Sequence, residues 1–445
     1  MFFISKPRIF DSFVKFLTLN KMKTLQKGSK KLLNAWAFYD WANSVYSLVI
    51  ASAIFPIFYT ALFKTKGISH IEVFGASVKD TALISFVTAA AFLVVAFISP
   101  LLSGMADFVG NKKSFMKFFC YLGGLSCIGL YWFDLDNIYL SLAFYFFGLI
   151  GFWGSLVFYN SYLPDVAFVE QQDRISAKGY SLGYIGSVIL LVINLAMVMG
   201  ADDENKILMM KYSFVMVGLW WIGFAQYSFY FLPKGNKNGE KMPKEVLFNG
   251  FKELKKVWNR LGDNISLKRY LVAFFVYSMA VQTVMLVATY FGEQEIAWVD
   301  NSQKTTGLII SILVIQLIAV LGATLTSRAS EKFGNIPVLI VINSVWIAIC
   351  IVAYFISLPI HFYITAAFVG LVMGGIQSLS RSTYSKLIPK NTTETTSFFS
   401  FYDVAEKIGI VIGMFLYGFI DQITGSMRNS IVFLALFNYV FKCCN

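Results

Sequence analysis

The first long apolar run of the chain opens with Trp36-Ala37-Phe38-Tyr39-Asp40-Trp41-Ala42-Asn43-Ser44 and continues to Phe63. This run is long enough to cross a bilayer as a helix. An ionised side chain at bilayer depth costs roughly 3 kcal/mol on insertion scales, so Asp40 is predicted to face protein or water. At helical spacing Asp40, Asn43 and Ser44 share one face. A polar stripe on a spanning helix indicates a pathway for a solute.

The composition of the whole chain is that of a membrane protein with many spans. Of its 445 residues 57% are hydrophobic and only 14% are charged, and its mean hydropathy is +0.65. Apolar runs of spanning length predict about twelve helices, numbered here span 1 to span 12. They cover 36–63, 81–105, 115–133, 138–160, 179–200, 212–232, 269–292, 305–327, 336–356, 361–388, 399–420 and 429–444.

The net charge of +12 follows from topology rather than from nucleic-acid binding. With the N-terminus inside, about 29 of the 37 Lys and Arg fall in the tails and connections of the cytoplasmic side. This distribution predicts that both termini lie in the cytoplasm, and the Lys- and Asn-rich usage with compact loops predicts a bacterial inner membrane. No nucleic-acid partner is expected.

An internal repeat divides the chain into two halves. Gly104-Met105-Ala106-Asp107-Phe108-Val109-Gly110-Asn111 follows span 2, and Ser327-Arg328-Ala329-Ser330-Glu331-Lys332-Phe333-Gly334-Asn335 follows span 8. Both place an acid three residues before a Gly-Asn pair. Two six-span bundles are therefore expected, with a solute site between them.

The predicted parts are a basic N-terminal tail (1–33, of which 1–21 is either a mis-assigned extension or an interfacial helix), an N-terminal bundle (34–232), a cytoplasmic linker (233–267) and a C-terminal bundle (268–445).

These segments resemble a known transporter family. Gly104-x-x-Asp107-x-x-Gly110-x-Lys112-Lys113 is similar to the loop signature of the major facilitator superfamily. Tyr39–Ser44, Asn160–Asp165 and Gly374–Ser382, together with Phe398–Asp403, resemble its vacuole effluxer-like branch, which includes fungal vacuolar amino-acid exporters and bacterial members. The resemblance implies an all-α fold of about twelve helices in two bundles, alternating access, and amino-acid efflux. Glu331 stands where the first loop has Asp107, which suggests a weakened second gate.

The loop after span 2 is predicted to act as a gate. A carboxylate at Asp107 can meet the N-terminus of a neighbouring helix or a basic side chain, and Gly104 and Gly110 permit a tight turn. The alternative is that Lys112 and Lys113 only obey the positive-inside rule. After span 4, Asp165 and Arg174 flank the next cytoplasmic loop, either as a loop salt bridge or as part of the gate.

Polar residues inside the spans are the candidates for substrate binding or ion coupling. Asp40 has no basic residue within a helical turn, which favours proton coupling, but a static bond to Arg381 is an equal alternative. Asp403 and Lys407 are i, i+4 on span 11 and can neutralise each other, leaving Glu406 as the unpaired acid. The full candidate set is Asp40, Asn43, Gln282, Gln377, Arg381 and Glu406.

The chain carries none of the usual signatures of an enzyme. It has no Gly-Lys-Ser/Thr phosphate loop, no histidine inside a predicted span other than His361 at the first position of span 10, and no Cys/His cluster with metal spacing. We therefore expect a non-enzymatic secondary transporter without metal or cofactor, acting as a monomer on a small solute with protons or sodium as coupling ions. The alternatives are an exporter of lipids or drug-like amphiphiles and a non-transporting sensor on the same fold.

Overall fold

The computed structural model describes residues 25–234, 252, 255–260, 264–389, 392 and 394–433. Within them, 10 helices are long and apolar enough to cross a membrane, in agreement with spans 1 to 10. An eleventh long helix, Thr395–Thr424, forms span 11, and residues 427–433 are the helical beginning of span 12. The rest of span 12, residues 1–21 and most of the linker lie outside the described residues.

The helices begin and end close to the apolar runs. The bounds of spans 2 to 10 are Asp80–Val109, Lys112–Gly129, Ile138–Ser161, Gln172–Met199, Lys206–Phe231, Ile265–Glu295, Asn301–Phe333, Asn335–Phe355 and Pro359–Leu387. Short helical turns lie at Leu130–Trp132, Leu163–Val166, Val169–Gln171 and Asp203–Asn205. Strands β1 (His70–Val73) and β2 (Ala76–Lys79) form an antiparallel hairpin between spans 1 and 2.

Span 1 is not one regular helix. Lys30–Val45 is α-helical, Tyr46–Ala53 is a π-helix, and Ile54–Lys66 is α-helical again. Pro56 has no N–H to donate to the carbonyl four residues earlier, which accounts for a break in the ladder at this point. Wide π turns of this kind are frequently found at functional sites.

Two hydrophobic cores match the two bundles of the predicted fold. One cluster of buried side chains runs from Leu32 to Leu232, and the other from Val257 to Ile431. Tyr184 of span 5 packs into the second cluster, so the halves meet along this helix. The division at 34–232, 233–267 and 268–445 stays a prediction at the level of single residues.

Inside the C-terminal bundle, spans 8 and 10 lie backbone to backbone. A Cβ atom at Gly374 would overlap the carbonyl oxygen of Ala319, and one at Gly322 would overlap that of Leu371. Small residues allow this approach where lipid offers no hydrophobic driving force between helices. It sets the position of span 10, which carries Gln377 and Arg381.

The two ends of the bundles are named here by their connections. The linker side carries the linker and the loops after spans 2, 4, 8 and 10, and the hairpin side carries β1 and β2. On the linker side, Lys256 and Arg260 in the described part of the linker form ion pairs with Glu394, just before span 11. The linker is therefore tied to the start of that helix.

Candidate functional site

Arg381 of span 10 is the centre of the contact between the two halves. Its side chain is 2% exposed, and its Nη2 lies 3.1 Å from Oδ2 of Asp40 on span 1. The guanidinium also donates to the carbonyl oxygen and Oγ of Ser176 at 3.0 and 2.9 Å, and to Oδ1 of Asn160 at 3.3 Å. All these acceptors belong to the N-terminal half, so one C-terminal side chain holds three N-terminal helices.

Aromatic rings and a glycine enclose this ion pair. The Arg381 Cζ atom lies 4.2 Å from the centroid of the Tyr180 ring and 4.8 Å from that of Trp36, and the hydroxyl of Tyr159 donates to Asp40 Oδ2 at 2.8 Å. A Cβ atom at Gly179 would overlap Asp40 Oδ2. Water is thus excluded from a pair whose desolvation is offset by charge-assisted hydrogen bonds and cation–π contacts.

Asp107 caps the N-terminus of span 11 across the interface. Its Oδ2 accepts from the backbone N–H of Ser397 at 2.7 Å and from that residue's hydroxyl at 2.8 Å, and its Oδ1 accepts from the N–H of Thr396 at 3.2 Å. A carboxylate is stabilised by the free N–H groups and the positive end of the helix dipole at such a position. Gly110 ends span 2 with a φ of 63°, a left-handed conformation that favours glycine.

Lys112 adds an ion pair beside this cap. Its Nζ lies 2.6 Å from Oδ2 of Asp165 and also donates to Oγ1 of Thr395 at 2.8 Å. The expected salt bridge between Asp165 and Arg174 is wrong, because Asp165 pairs with Lys112 and the Arg174 side chain is exposed. Lys112 therefore does more than obey the positive-inside rule, because its side chain links the loop after span 4 to the start of span 11.

Asp173 of span 5 makes the corresponding contact with the second half. Its Oδ1 accepts from Nδ2 of Asn335 at 2.9 Å, and its Oδ2 accepts from the hydroxyl of Ser330 at 3.0 Å and from Nζ of Lys386. Compared with the Asp107 contact the roles are exchanged, because the acid lies at the start of span 5, whereas Ser330 and Asn335 flank the loop after span 8 and Lys386 lies at the end of span 10. Glu331, the repeat counterpart of Asp107, is exposed.

A cavity lies between the halves on the other side of the Arg381 contact. The side chains around it come from spans 5, 7, 10 and 11: Tyr180, Phe274, Tyr277, Ser278, Val281, Gln282, Ile376, Gln377, Ser380, Tyr402 and Glu406. Glu406 is the charged member of this lining, and its Oε1 accepts from Nε2 of Gln282 at 2.7 Å. Gln377 accepts from the hydroxyl of Tyr184 on span 5 at 2.6 Å.

The structure divides the predicted candidates into groups. Gln282, Gln377 and Glu406 line the cavity, whereas Asp40 and Arg381 pair with each other, as the static alternative for Asp40 predicted. Asn43 is 1% exposed, accepts a hydrogen bond from the Ser44 hydroxyl through its Oδ1, and is not among the residues that line the cavity.

Three further expectations need correction or qualification. Glu406 is not unpaired, because Nζ of Lys407 lies 2.9 Å from its Oε2 as well as 3.0 Å from Asp403 Oδ1. Lys113 donates to the carbonyl oxygen of Leu232 within the N-terminal half rather than across the interface. Gly104 is buried within span 2, and its part in gating stays a prediction.

Sequence reasoning missed the contact of Asp173. This acid directly precedes Arg174, ahead of predicted span 5, and Lys386 reads as one more basic residue at the cytoplasmic end of predicted span 10. In the sequence, only the internal repeat indicates this contact. The repeat predicts that the loop after span 8 contacts span 5 in the same way as the loop after span 2 contacts span 11.

Comparisons with known proteins agree with this architecture. The family described as "Vacuole effluxer Atg22 like" matches residues 28–170 and 166–441. The chain is 30% identical over 422 residues to the uncharacterized MFS-type transporter YxiO of Bacillus subtilis strain 168, covering 93% of each chain. It is 22% identical over 485 residues to autophagy-related protein 22 of Vanderwaltozyma polyspora, covering 93% of this chain and 91% of that protein.

Solved transporter structures share the fold. The major facilitator superfamily transporter FucP in the outward conformation matches with a TM-score of 0.64 and 15% identity, over 93% of this chain and 97% of FucP. The proton:xylose symporter XylE bound to 6-bromo-6-deoxy-D-glucose matches with a TM-score of 0.67 and 13% identity, over 93% and 94%. The predicted two-bundle fold is confirmed. These relatives are transporters, in agreement with the expectation that the chain is not an enzyme.

Proposed function

The chain belongs to the Atg22-like vacuole effluxer family of major facilitator transporters, and from this premise we propose that it exports amino acids by alternating access. As a secondary transporter it moves a small solute through a multi-pass membrane fold. Two parts of the proposal are taken from the family resemblance: amino acids as the substrate class, and efflux as the direction of transport.

The observation that supports this function is the Arg381 contact directly beside the cavity. A solute in the cavity touches spans of both halves, while the linker side is closed by Arg381–Asp40, by the Asp107 cap and by the Asp173 contact. Opening the linker side requires all three to break, since each joins the two halves. Asp40, Asp107, Lys112, Asp165 and Asp173 are therefore proposed as gating residues, and Gln282, Gln377 and Glu406 as substrate contacts.

Location and coupling follow from charge. The excess of Lys and Arg in the linker and neighbouring loops supports a cytoplasmic linker side in an inner membrane, with both termini cytoplasmic and the transporter acting as a monomer. Asp40 and Glu406 are the acids whose charge proton or sodium coupling would use.

A second function, the export of lipids or drug-like amphiphiles, is favoured by the cavity's rings. Tyr180, Phe274, Tyr277 and Tyr402 contribute aromatic rings to its lining, and apolar, ring-lined sites bind apolar solutes as well as amino acids. A sensor on the same fold would bind a solute without moving it.

Counterflow in proteoliposomes tests the function directly. Vesicles are loaded with an amino-acid mixture, and entry of radiolabelled amino acids is followed with and without a pH gradient. Trans-stimulated uptake that Arg381→Ala abolishes and Glu331→Gln leaves unchanged supports the proposal. Folded protein without amino-acid flux contradicts it, and the same assay with amphiphilic amines and lipids then tests the second function. If Asp40→Asn and Arg381→Ala both transport normally, the gate assignment is wrong.

A further inference from the structure

Three charged side chains form a compact buried cluster on span 11. Nζ of Lys407 lies 3.0 Å from Oδ1 of Asp403 and 2.9 Å from Oε2 of Glu406, and the Lys407 side chain is 1% exposed. The cluster contains two carboxylates and one ammonium. In the described part of the chain no second basic side chain pairs with it, so its fully ionised form carries a net charge of −1.

A buried net charge is costly unless a partner neutralises it. The cluster shows where such a partner is lacking: Oδ2 of Asp403, a residue only 6% exposed, has no hydrogen-bond partner among the described residues. In a transporter, the positive charge that neutralises the cluster can come from a proton bound to a carboxyl group or from a cationic group of the solute.

The cavity beside the cluster has the chemistry of an ammonium site. Glu406 is the one charged residue in its lining, and Tyr180, Phe274, Tyr277 and Tyr402 surround the same space. Ammonium groups are attracted by a carboxylate and by the faces of aromatic rings. Nε2 of Gln282 donates to Glu406 Oε1 and so orients the carboxylate at the cavity wall.

We propose that the Asp403–Glu406–Lys407 cluster binds the ammonium group of the solute in exchange for a proton. The solute class is therefore a primary amine, either zwitterionic or cationic. In the exchange a carboxyl group of the cluster releases its proton to water and the ammonium takes its place, so the cluster stays neutral in both states and no covalent bond other than O–H changes. This inference rests on the proposed transport function and names its solute chemistry and its coupling ion.

Among the described residues, the helices around the cluster contribute no competing carboxylate. The titratable side chains facing it are Tyr180 of span 5, Tyr277 of span 7 and Tyr402 of span 11. Span 2 has no acidic or basic residue between Asp80 and Asp107. Beyond Tyr180 lies Arg381, whose charge is balanced by Asp40.

The charge of the cluster also affects the contact between the two halves. From span 4 of the N-terminal half, Trp153 places its ring centroid 3.6 Å from Lys407 Nζ. Lys407 thus contacts two acids of its own half and a ring of the other half. A change of charge on Glu406 alters how strongly its own half holds this ammonium, which couples solute binding to the interface.

Proton release on ligand binding tests the exchange without requiring transport. The full chain, purified in detergent with a weakly buffered pH indicator, is mixed with phenylalanine, phenethylamine or 3-phenylpropionate at a series of pH values. We expect phenylalanine and phenethylamine each to release up to one proton per protein, with a maximum over a limited pH range. We expect 3-phenylpropionate, which lacks the amine, to release none.

Two variants of one residue separate charge from folding. Glu406→Gln leaves Asp403 and Lys407 as a neutral pair, so it should fold and lose proton release by at least tenfold. Glu406→Asp keeps the charge and should retain release. Unchanged release in Glu406→Gln, no release with either amine from folded wild-type protein, or equal release with 3-phenylpropionate would each overturn the proposal. Counterflow without proton release contradicts only this inference, whereas release without counterflow contradicts the transport function.

Discussion

Arg381 and Asp40 stand 341 positions apart in the chain and form a buried ion pair of 3.1 Å between the two halves. The pair joins the helix that begins the N-terminal bundle to the tenth span, on the linker side of the cavity. To open the linker side, the transporter must separate the Asp40 carboxylate from the Arg381 guanidinium. Both charged groups are buried away from water. Each prediction below follows from this contact or from the two contacts that flank it.

Removing one member of the pair should weaken the closed state. Asp40→Asn leaves the Arg381 guanidinium buried without a counter-charge, a loss of about 3–5 kcal/mol for buried pairs. We expect a lower midpoint of thermal unfolding in detergent. The double variant Asp40→Asn/Arg381→Met removes both charges and should recover a large part of the loss. A double variant no more stable than Asp40→Asn would contradict a pairing role.

The cap at span 11 should control access from the linker side. Asp107→Asn removes the charge that the helix N-terminus stabilises by about 1 kcal/mol, which corresponds to about a fivefold change in a two-state equilibrium. We expect faster labelling of a cysteine at Ser378 by a linker-side maleimide, in a variant whose five native cysteines are replaced. Glu331→Gln, at the matching but exposed position of the repeat, is the control and should label at the wild-type rate.

The second contact between the halves should respond in the same direction. Asp173→Asn leaves Lys386 without its acid and weakens the bonds from Ser330 and Asn335, so labelling at Ser378 should again rise by several-fold. Arg174→Gln changes the exposed neighbour and should have no effect. If only Asp107→Asn increases labelling, the Asp173 contact plays no part in closing the linker side.

A single methyl group should disturb the ion pair without removing a charge. In Gly179→Ala the new Cβ overlaps Asp40 Oδ2, and overpacking of this kind costs about 1–3 kcal/mol. We expect lower thermal stability and impaired counterflow. Gly223→Ala is the matched control, because a Cβ there meets no atom within 4 Å and alanine favours a helix. Equal behaviour of the two variants would show that the space beside Asp40 is not critical.

Residue patterns predicted the membrane class and the helices correctly, and they predicted that Asp107 meets the N-terminus of a neighbouring helix; its gating role stays a prediction. Asp107 was found because a carboxylate at the end of a spanning helix needs a partner, and a helix N-terminus is one of the few available. Glu331 shows the limit of the same reasoning, since its spacing matches that of Asp107 but its side chain is exposed. The repeat predicts that two loops meet two helices, but it leaves open which side of each contact supplies the acid.

The sequence by itself determined the placing of spans 1 to 11, since transfer into a bilayer depends on the apolar residues of each segment. It also determined the two-bundle plan through the repeat. Only the tertiary structure decided that Arg381 reaches Asp40, that Asp173 meets Lys386, and that Glu406 shares Lys407 with Asp403 beside the cavity. Helical spacing tells which residues share a face, but each helix turns by about 100° per residue, so the partner of that face depends on the packed orientation of every neighbouring helix.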